Sequence, residues 1–412
     1  MNRKIVKFLA VMLSMLLLGI AVAGCTDAGT PEAIGFTELT EGEDVFDVTD
    51  AAPETDATVE TDITEEELVA EEVFASWNEE APALQTLIEF VESTTDVNSP
   101  DYIPVERRIA VFDMDGTIYA ELFPTYFEYY AFAWHVLADP NFKDKADQEM
   151  IDVATEIREG GPTHTYASDM AVRHGTQAAR SYAGMSLQDF NDYCNSLFIR
   201  EADGFTGMTY GEAFYAPIVE VIEYLQDNDF EVYVVSGSDR YLCRALFEGV
   251  IDIPDEHFIG MDVGLETSSH HGEDGLNYDF EPTDELVRTD VMTVKNLKMN
   301  KVTAIAKEIG KQPVISFGNT SGDTSMHLYT ISNNPYKSVA FMLIADDDVR
   351  DYGHPEKAAD LRAQWEGYGF NVISMKNDFA TIYGEGVEKT GKFRWTEELG
   401  GTSEEDTAEG EN

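Results

Sequence analysis

Short apolar runs alternate with helical patterns along most of the chain. Runs long enough for buried strands lie at residues 109–112, 230–235, 257–261, 313–317, 338–344 and 370–374. Between them, residues 216–226 and a segment that opens at Lys301 place apolar side chains at helical spacing. Buried strands that alternate with helices predict the α/β class, with a doubly wound parallel sheet whose ligands gather at the carboxyl ends of the strands.

Residues 118–211 interrupt this alternation with long helical patterns and no convincing strand. The segment predicts a helical insertion that covers one end of the sheet. Its start is crowded with aromatic residues, namely Tyr119, Phe123, Tyr126, Phe127, Tyr129, Tyr130, Phe132 and Trp134. At helical spacing such a stripe is more typical of packing than of a ligand site.

The N-terminal pattern predicts export. Arg3, Lys4 and Lys7 precede an almost entirely apolar run over residues 8–23, as in a secretory signal. The run ends in Ala23-Gly24-Cys25, and small residues before a cysteine resemble the lipobox of bacterial lipoproteins, which implies lipidation of Cys25. A plain secretory signal or an uncleaved anchor is the alternative. Either way we expect an exported protein held at the cell membrane, with its folded part outside the cytoplasm.

Two acidic segments flank the predicted folded part. Residues 26–72 are rich in Asp, Glu, Thr, Ala and Pro and predict a disordered, self-repelling linker, and residues 397–412 predict an acidic disordered tail. A leading helix is predicted from Thr64, because Trp77, Leu84, Leu87, Ile88 and Val91 then follow at helical spacing. The folded core is accordingly expected at residues 73–117 and 212–396, on either side of the insertion.

Charge narrows the possible partners. The formal net charge is −52 over 412 residues, and no Lys or Arg occurs between Lys7 and Arg107. So acidic a chain argues against nucleic acid as a partner, because the phosphate backbone binds positive charge. A strongly negative surface also fits a high-salt habitat, although charge is an argument about solubility and not about fold.

The candidate chemistry begins where the first buried strand ends. Asp113 and Asp115 follow it two positions apart, so extended backbone would direct both carboxylates to one side, and Gly116 permits a sharp turn. Two adjacent carboxylates repel each other unless a cation lies between them or one of them holds a proton. Both conditions suit phosphoryl transfer.

The run from Ile109 to Thr117, with Asp-Met-Asp-Gly-Thr after a hydrophobic strand, resembles the first motif of the haloacid dehalogenase (HAD) superfamily. The resemblance implies a phosphatase in which Asp113 attacks phosphorus and Asp115 protonates the leaving oxygen. It also implies that the insertion at 118–211 is a C1 cap that closes over the site. Over roughly residues 107–383 the chain looks most similar to the phosphoserine-phosphatase-like branch.

Three later segments resemble the remaining motifs. Ser236 and Gly237 follow a strand as in the second motif, which implies phosphate binding. Lys301 matches the third motif, with Lys295 and Lys298 as alternatives. Residues 318–326 match the fourth, GDxxxDxxM, except that Asn319 stands where the first Asp is usual.

The resemblance implies Mg²⁺ as the cofactor, held by Asp113, the backbone carbonyl of Asp115, Asn319 and Asp323. The Asn319 amide oxygen can bind such a cation but brings no formal charge, so weaker metal binding is expected. The expected activity is hydrolysis of a small phosphate ester through an aspartyl-phosphate. A phosphotransferase, or an inactive surface-binding lipoprotein on the same fold, are the alternatives.

Glu121, eight residues past Asp113, is a candidate for pairing with an ammonium group on the substrate. With the aromatic run beside it, this favours phosphocholine, phosphoethanolamine or phosphoserine over sugar phosphates. The alternative is that Glu121 faces solvent and the rings are cap core.

Cys194 and Cys243 either form one disulfide or stay free, and His270-His271 is expected to be an exposed loop rather than a metal site.

Overall fold

The computed structural model describes residues 73–121, 125–163, 165–269 and 272–400. All of these residues belong to one compact unit, Asp62–Asn412. The signal segment with Cys25, the 26–72 linker, Phe123, His270 and His271 lie outside the described residues, so the predictions about them stay predictions. In the described part, no helix has the length and apolar character needed to cross a membrane.

A seven-stranded sheet forms the centre, in the order β5-β4-β3-β1-β6-β7-β8. Its strands are β1 Ile109–Phe112, β3 Glu231–Asp239, β4 Phe258–Thr267, β5 Leu286–Val294, β6 Ile315–Gly318, β7 Val339–Ile344 and β8 Asn371–Ser374. A separate pair joins β2 Phe205–Thr206 to β9 Glu388–Lys389. The central strand β1 pairs in parallel with both β3 and β6, and all four of its residues are buried. Strands covered on both faces need continuous apolar runs, which is why the pattern predicted them.

Helices cover both faces and form the insertion. They are α1 Pro82–Thr95, α2 Phe127–Leu137, α3 Gln148–Gly160, α4 Met170–Ser181, α5 Leu187–Phe198, α6 Ala216–Asp227, α7 Arg240–Phe247, α8 Met299–Glu308, α9 Thr324–Ile331, α10 Pro355–Gly367, α11 Met375–Asp378 and α12 Trp395–Glu398. The predicted insertion, residues 118–211, carries α2 to α5 and also the short strand β2. The α/β class with a mostly parallel sheet is thus confirmed.

The edge strand β5 was not predicted. It runs antiparallel to β4, and its pairing with β4 contains register shifts. Its exposed and buried residues do not alternate regularly along the strand. No strand was predicted between residues 261 and 313, because a half-exposed edge strand carries no continuous apolar run. The sheet is therefore mixed, with one antiparallel pair at its edge.

The leading helix begins later than expected. Helix α1 starts at Pro82, whose fixed φ suits the first helical position. Trp77 lies before it, bridged to Phe379, and its indole donates to the carbonyl of Pro217 at 2.8 Å. Thr64 lies outside the described residues, so a separate helix there stays untested.

The C-terminal end packs on the cap. Helix α12 includes Glu397 and Glu398, which were expected to open the acidic tail. The Asp203 carboxylate accepts from the backbone N–H of Arg394 at 2.7 Å and of Trp395 at 2.8 Å, and the Trp395 indole donates to the carbonyl of Arg158 at 2.8 Å. Trp395 is 2% exposed. The short helix therefore joins residues 394–399 to the cap.

Cys194 and Cys243 are both buried free thiols. Burial raises the pKa of the Cys243 thiol well above its usual range, so it is held in its neutral form. Of the two possibilities that the sequence left open, a disulfide or two free thiols, the structure shows two free thiols.

Replacing Trp395 with Ala is expected to lower the free energy of unfolding by ~3–5 kcal/mol, because a fully buried ring and its hydrogen bond are lost. Chemical denaturation followed by circular dichroism measures this. Phe280, which is 63% exposed, supplies the control, since Phe280→Ala should change the free energy by less than ~0.5 kcal/mol. Equal effects of the two substitutions would show that α12 adds nothing to the stability of the cap.

Candidate active site

The loop after β1 brings the two predicted acids to the carboxyl end of the sheet. Asp113 follows β1 directly, and its backbone N–H donates to the carbonyl of Phe317 on β6 at 2.9 Å. Gly116 turns the chain with φ +74°, and a Cβ there would lie 1.8 Å from the side-chain nitrogen of Asn319. Only glycine permits this approach, so the loops after β1 and β6 meet at this point.

Lys301 lies between two carboxylates. Its ammonium donates to Asp113 and, at 2.6 Å, to Asp323. The lysine stands in the first turn of α8 and is fully buried. The predicted third-motif residue is therefore in place between the acids of the first and fourth motifs. Of the alternatives, Lys298 precedes α8 and Lys295 binds a different carboxylate.

Burial dominates the electrostatics of these groups. It raises the pKa of Asp113 to about 8, with the charge of Asp323 adding to the effect. Burial also acts to raise the pKa of Asp323, but the charges of Lys301 and His327, together with the hydrogen bonds that Asp323 accepts, hold that pKa below its ordinary value. One ammonium thus serves two carboxylates. The imbalance leaves the site short of positive charge.

Asp323 supports the loop after β6. Its Oδ2 accepts from the backbone N–H of Asn319 at 3.2 Å and of Thr320 at 3.0 Å, while its Oδ1 accepts from Lys301. Both oxygens already have donors, so this carboxylate orients Lys301 and the loop. Its predicted role as a direct metal ligand stays a prediction, and a metal ion would have to compete with these donors.

Two buried oxygens at the site lack partners among the described residues. They are Oδ1 of Asn319 and Oδ1 of Asp115. Buried acceptors without donors are costly, and a cation relieves that cost. Asp113, the backbone carbonyl of Asp115 and Asn319 are the residues that would hold magnesium, which prefers oxygen ligands, and their role as ligands stays a prediction. The described residues contain no group of three His, Cys, Asp or Glu side chains arranged for a metal.

The tip of β3 supplies hydroxyl groups. Ser236 is fully buried, and its Oγ accepts from the backbone N–H of Ser238 at 3.0 Å. Gly237 is partly exposed beside it. Ser238, which was not predicted, donates its hydroxyl to Oδ2 of Asp115 at 2.7 Å. The second motif therefore touches the candidate acid through Ser238, while phosphate binding by Ser236 and Gly237 stays a prediction.

A buried carboxylate from the cap also reaches this position. Glu128, in the first turn of α2, accepts from the backbone N–H of Asp239 at 3.2 Å and from Lys295 at 3.3 Å, and its carboxylate lies 3.3 Å from the Ser238 hydroxyl oxygen. Burial raises its pKa, and Lys295 opposes that shift. Glu128 was not predicted from the sequence. The signal that could have found it is a single acid within the run Phe-Glu-Tyr-Tyr-Ala-Phe, because a buried acid is rare unless it has a partner.

Most of the aromatic stripe packs in the core, as its helical spacing predicts. Tyr119, Phe127, Tyr129, Tyr130 and Phe132 are buried, and Tyr126 and Trp134 are partly buried and pack against the core. Glu121 is partly buried and does not simply face solvent, since the hydroxyl of Tyr126 donates to it at 2.8 Å.

No family model matches the chain, and no curated protein matches it. Several solved structures are similar at low identity. A conserved protein of unknown function from Anaerococcus prevotii is 12% identical, with 77% of this chain and 96% of that chain covered and a TM-score of 0.45. A phosphoserine phosphohydrolase-like protein from Francisella tularensis is 14% identical, with 62% and 92% covered and a TM-score of 0.33.

A HAD-family hydrolase from Salmonella enterica is likewise 14% identical, with 64% of this chain and 66% of that chain covered and a TM-score of 0.33. The chain thus has distant structural similarity to hydrolases of the HAD superfamily. This similarity concerns the fold alone.

Asp115 makes stability depend on pH. Burial raises its pKa to about 7 in the folded protein, although the Ser238 hydrogen bond opposes this. A carboxyl whose pKa is higher in the folded than in the unfolded protein stabilises the folded state most at pH values below its pKa in the unfolded chain, ~3.9. This stabilisation is lost as the pH rises to about 7. With magnesium removed by a chelator, we compare the melting temperatures of Asp115→Asn and wild type at two pH values. The difference, variant minus wild type, should be larger at about pH 8 than at about pH 5 by ~2 °C or more.

Differential scanning calorimetry measures this gain. Asp360→Asn, an exposed substitution on α10, is the matched control and should show no pH-dependent difference. A difference between Asp115→Asn and wild type that is the same at both pH values would contradict the raised pKa.

Proposed function

We propose that the protein is a magnesium-dependent phosphomonoesterase. One observation carries the proposal: Asp113, Asp115, Lys301 and Asp323 converge at the carboxyl ends of β1 and β6, with the tip of β3 beside them. This is the edge at which α/β sheets bind ligands. The distant similarity to HAD hydrolases is consistent with the proposal but does not carry it.

In the proposed reaction Asp113 is ionised, because the magnesium that would bind beside it favours the charged form over the protonated form that burial favours. A carboxylate oxygen of Asp113 attacks phosphorus, and the bond from phosphorus to the alcohol oxygen breaks. Asp115 gives its proton to that departing oxygen. Asp115 then takes a proton from water, whose oxygen attacks phosphorus, and the bond to Asp113 breaks to release inorganic phosphate. A pKa of about 7 for Asp115 suits a group that is an acid in one step and a base in the next.

The other residues hold charge and position. Lys301 binds a phosphoryl oxygen and keeps Asp113 oriented, and Asp323 orients Lys301. Ser236 and Gly237 bind phosphoryl oxygens at the tip of β3, and Ser238 fixes the carboxylate of Asp115. Magnesium, held by Asp113, the carbonyl of Asp115 and Asn319, would offset the negative charge of the phosphate and the attacking carboxylate.

The substrate is proposed to be a small phosphate ester with a polar or amine-bearing alcohol part, of the kind of phosphoserine, phosphocholine or phosphoethanolamine. Glu121 is the residue proposed to contact that part. The sequence alone supports an exported location with a lipid anchor at Cys25, and this placement belongs to the proposal.

Asp113→Asn should lower turnover of an aryl phosphate by at least ~1,000-fold, because the attacking oxygen is lost. It should also abolish the phosphoenzyme seen after acid quench with radiolabelled substrate. Asp115→Asn should still form that intermediate from activated aryl phosphates, whose leaving group needs no proton. A folded Asp113→Asn protein with wild-type turnover would overturn the covalent mechanism.

Substitutions at the loop after β6 test the metal. Asn319→Asp adds a charged ligand and should lower the magnesium concentration for half-maximal activity several-fold. Asp323→Asn removes the orienting carboxylate and should raise that concentration by ~10-fold or more. The melting temperature in a magnesium titration gives a second readout. Identical titrations for wild type and both variants would place the metal elsewhere.

A further inference from the structure

Glu128 is a buried acid of the cap to which the proposed reaction gives no role. It stands in the first turn of α2 and is 7% exposed. Acids buried to this extent are rare unless they are paired. The groups that donate to Glu128 lie outside the cap, on Asp239 of β3 and on Lys295, which follows β5. Its side chain therefore forms a contact between the cap and the catalytic core.

Each carboxylate oxygen of Glu128 has a donor of its own. Oε1 accepts from the backbone N–H of Asp239 at 3.2 Å, and Oε2 accepts from the ammonium of Lys295 at 3.3 Å. Asp239 is buried, and so is the side chain of Lys295. Nδ1 of His174, on α4, lies 3.9 Å from Oε2. Two buried donors in different directions fix the orientation of the carboxylate.

The Ser238 hydroxyl lies between two carboxylates. Its oxygen is 2.7 Å from Oδ2 of Asp115 and 3.3 Å from Oε2 of Glu128. A hydroxyl has one proton to donate, so it serves one of these oxygens at a time. The shorter distance favours Asp115, and Lys295 already donates to Oε2 of Glu128. The proton of Ser238 is therefore directed to Asp115.

This hydrogen bond decides which oxygen of Asp115 is left for the substrate. Oδ2 accepts from Ser238, whereas Oδ1 has no partner among the described residues. Oδ1 is then the oxygen that can give a proton to the departing alcohol oxygen. A shift of Ser238 would release Oδ2 and let the carboxylate turn. A misplacement of about 1 Å at a reacting group can lower the rate ~100-fold, so the position of Ser238 matters to the acid.

The tip of β3, where Ser238 stands, is held from two sides. Arg288 on β5 donates to both carboxylate oxygens of Asp239, at 3.3 Å and 2.5 Å, so the core fixes this side chain. Glu128 binds the backbone N–H of the same residue from the cap. Without Glu128 that buried N–H would lose its acceptor, and it could regain one only if the tip moved. Ser238, as the neighbouring residue, would move with it.

We propose that Glu128 is a positioning residue that makes the general acid depend on the cap. It holds the tip of β3 and thereby keeps the Ser238 hydroxyl on Oδ2 of Asp115. The inference rests on the proposed phosphatase function and deepens it. Proton donation to the departing oxygen needs Glu128, whereas attack by Asp113 does not, because Lys301 binds Asp113 instead.

Two aryl esters separate these steps. The leaving group of phenyl phosphate needs a proton, whereas that of dinitrophenyl phosphate does not. We define the acid ratio as kcat/KM for phenyl phosphate divided by kcat/KM for dinitrophenyl phosphate, measured with magnesium. Because kcat/KM covers only the steps up to release of the alcohol, the later attack of water does not enter this ratio.

Glu128→Ala and Ser238→Ala should each lower the acid ratio by at least ~10-fold relative to wild type, because the acid is no longer held in place. The double variant should have the acid ratio of Ser238→Ala alone, since Glu128 acts through Ser238. Glu159→Ala, an exposed substitution on α3 of the cap, is the matched control and should keep the wild-type ratio. A Glu128→Ala protein that loses activity equally with both esters would overturn the proposal, and so would effects of the two substitutions that multiply.

A second variant covers the case in which Glu128→Ala fails to fold, since that substitution leaves the ammonium of Lys295 buried and unpaired. Glu128→Met combined with Lys295→Met removes both charges and fills their space with hydrocarbon, which buried ion pairs tolerate. Its melting temperature shows that it is folded. This variant also lacks the acceptor for Asp239, so its acid ratio should fall by at least ~10-fold. A folded protein with the wild-type acid ratio would overturn the proposal.

Amide hydrogen exchange separates this inference from the phosphatase function, because it needs no turnover. In Glu128→Ala the segment 238–241 should exchange at least ~10-fold faster than in wild type or Glu159→Ala, as measured by mass spectrometry. Faster exchange without turnover of any ester by wild type would overturn the phosphatase function and keep the hold of Glu128 on β3. Turnover of both esters by wild type, with unchanged exchange and an unchanged acid ratio in Glu128→Ala, would overturn the role of Glu128 alone.

Discussion

The buried ammonium of Lys301 is the interaction on which the arrangement of the site depends. It binds Asp113 at the end of β1 and Asp323 at the start of α9, so it joins three separate parts of the chain. Each of these carboxylates is costly to bury alone. Because one lysine serves both, the loops after β1 and β6 and the first turn of α8 can take up only one relative position. The close contact of Gly116 with Asn319 follows from that position.

Much of this could be read from the sequence, since the signals are local. Four apolar residues before Asp113 predict a strand covered on both faces, and parallel strands bring their carboxyl ends to one edge. The spacing of Asp113 and Asp115 and the helix that begins near Lys301 are likewise local features. These are the parts of the site for which nearest neighbours in the chain decide the geometry.

What could not be predicted depends on contacts between distant residues. Glu128 enters the site from the cap only because the first turn of α2 meets the tip of β3, where Glu128 accepts from the backbone N–H of Asp239. Glu128 belongs to no recognisable motif. The edge strand β5 was missed for a related reason, since its stability comes from pairing with β4 and not from an apolar run. Aromatic residues at the start of the cap were correctly expected to be packing, because helical spacing reports burial directly.

The docking of the chain's end on the cap has a consequence for the order of folding. Asp203 holds the backbone of Trp395 across 192 residues of sequence. Contacts of such separation form late, because the loop between them must close first. The cap can gather its helices earlier, but Asp203 gains these partners only when residues 394 and 395 are present. A chain that leaves a ribosome from its N-terminus would therefore present an unfinished cap until that segment has emerged.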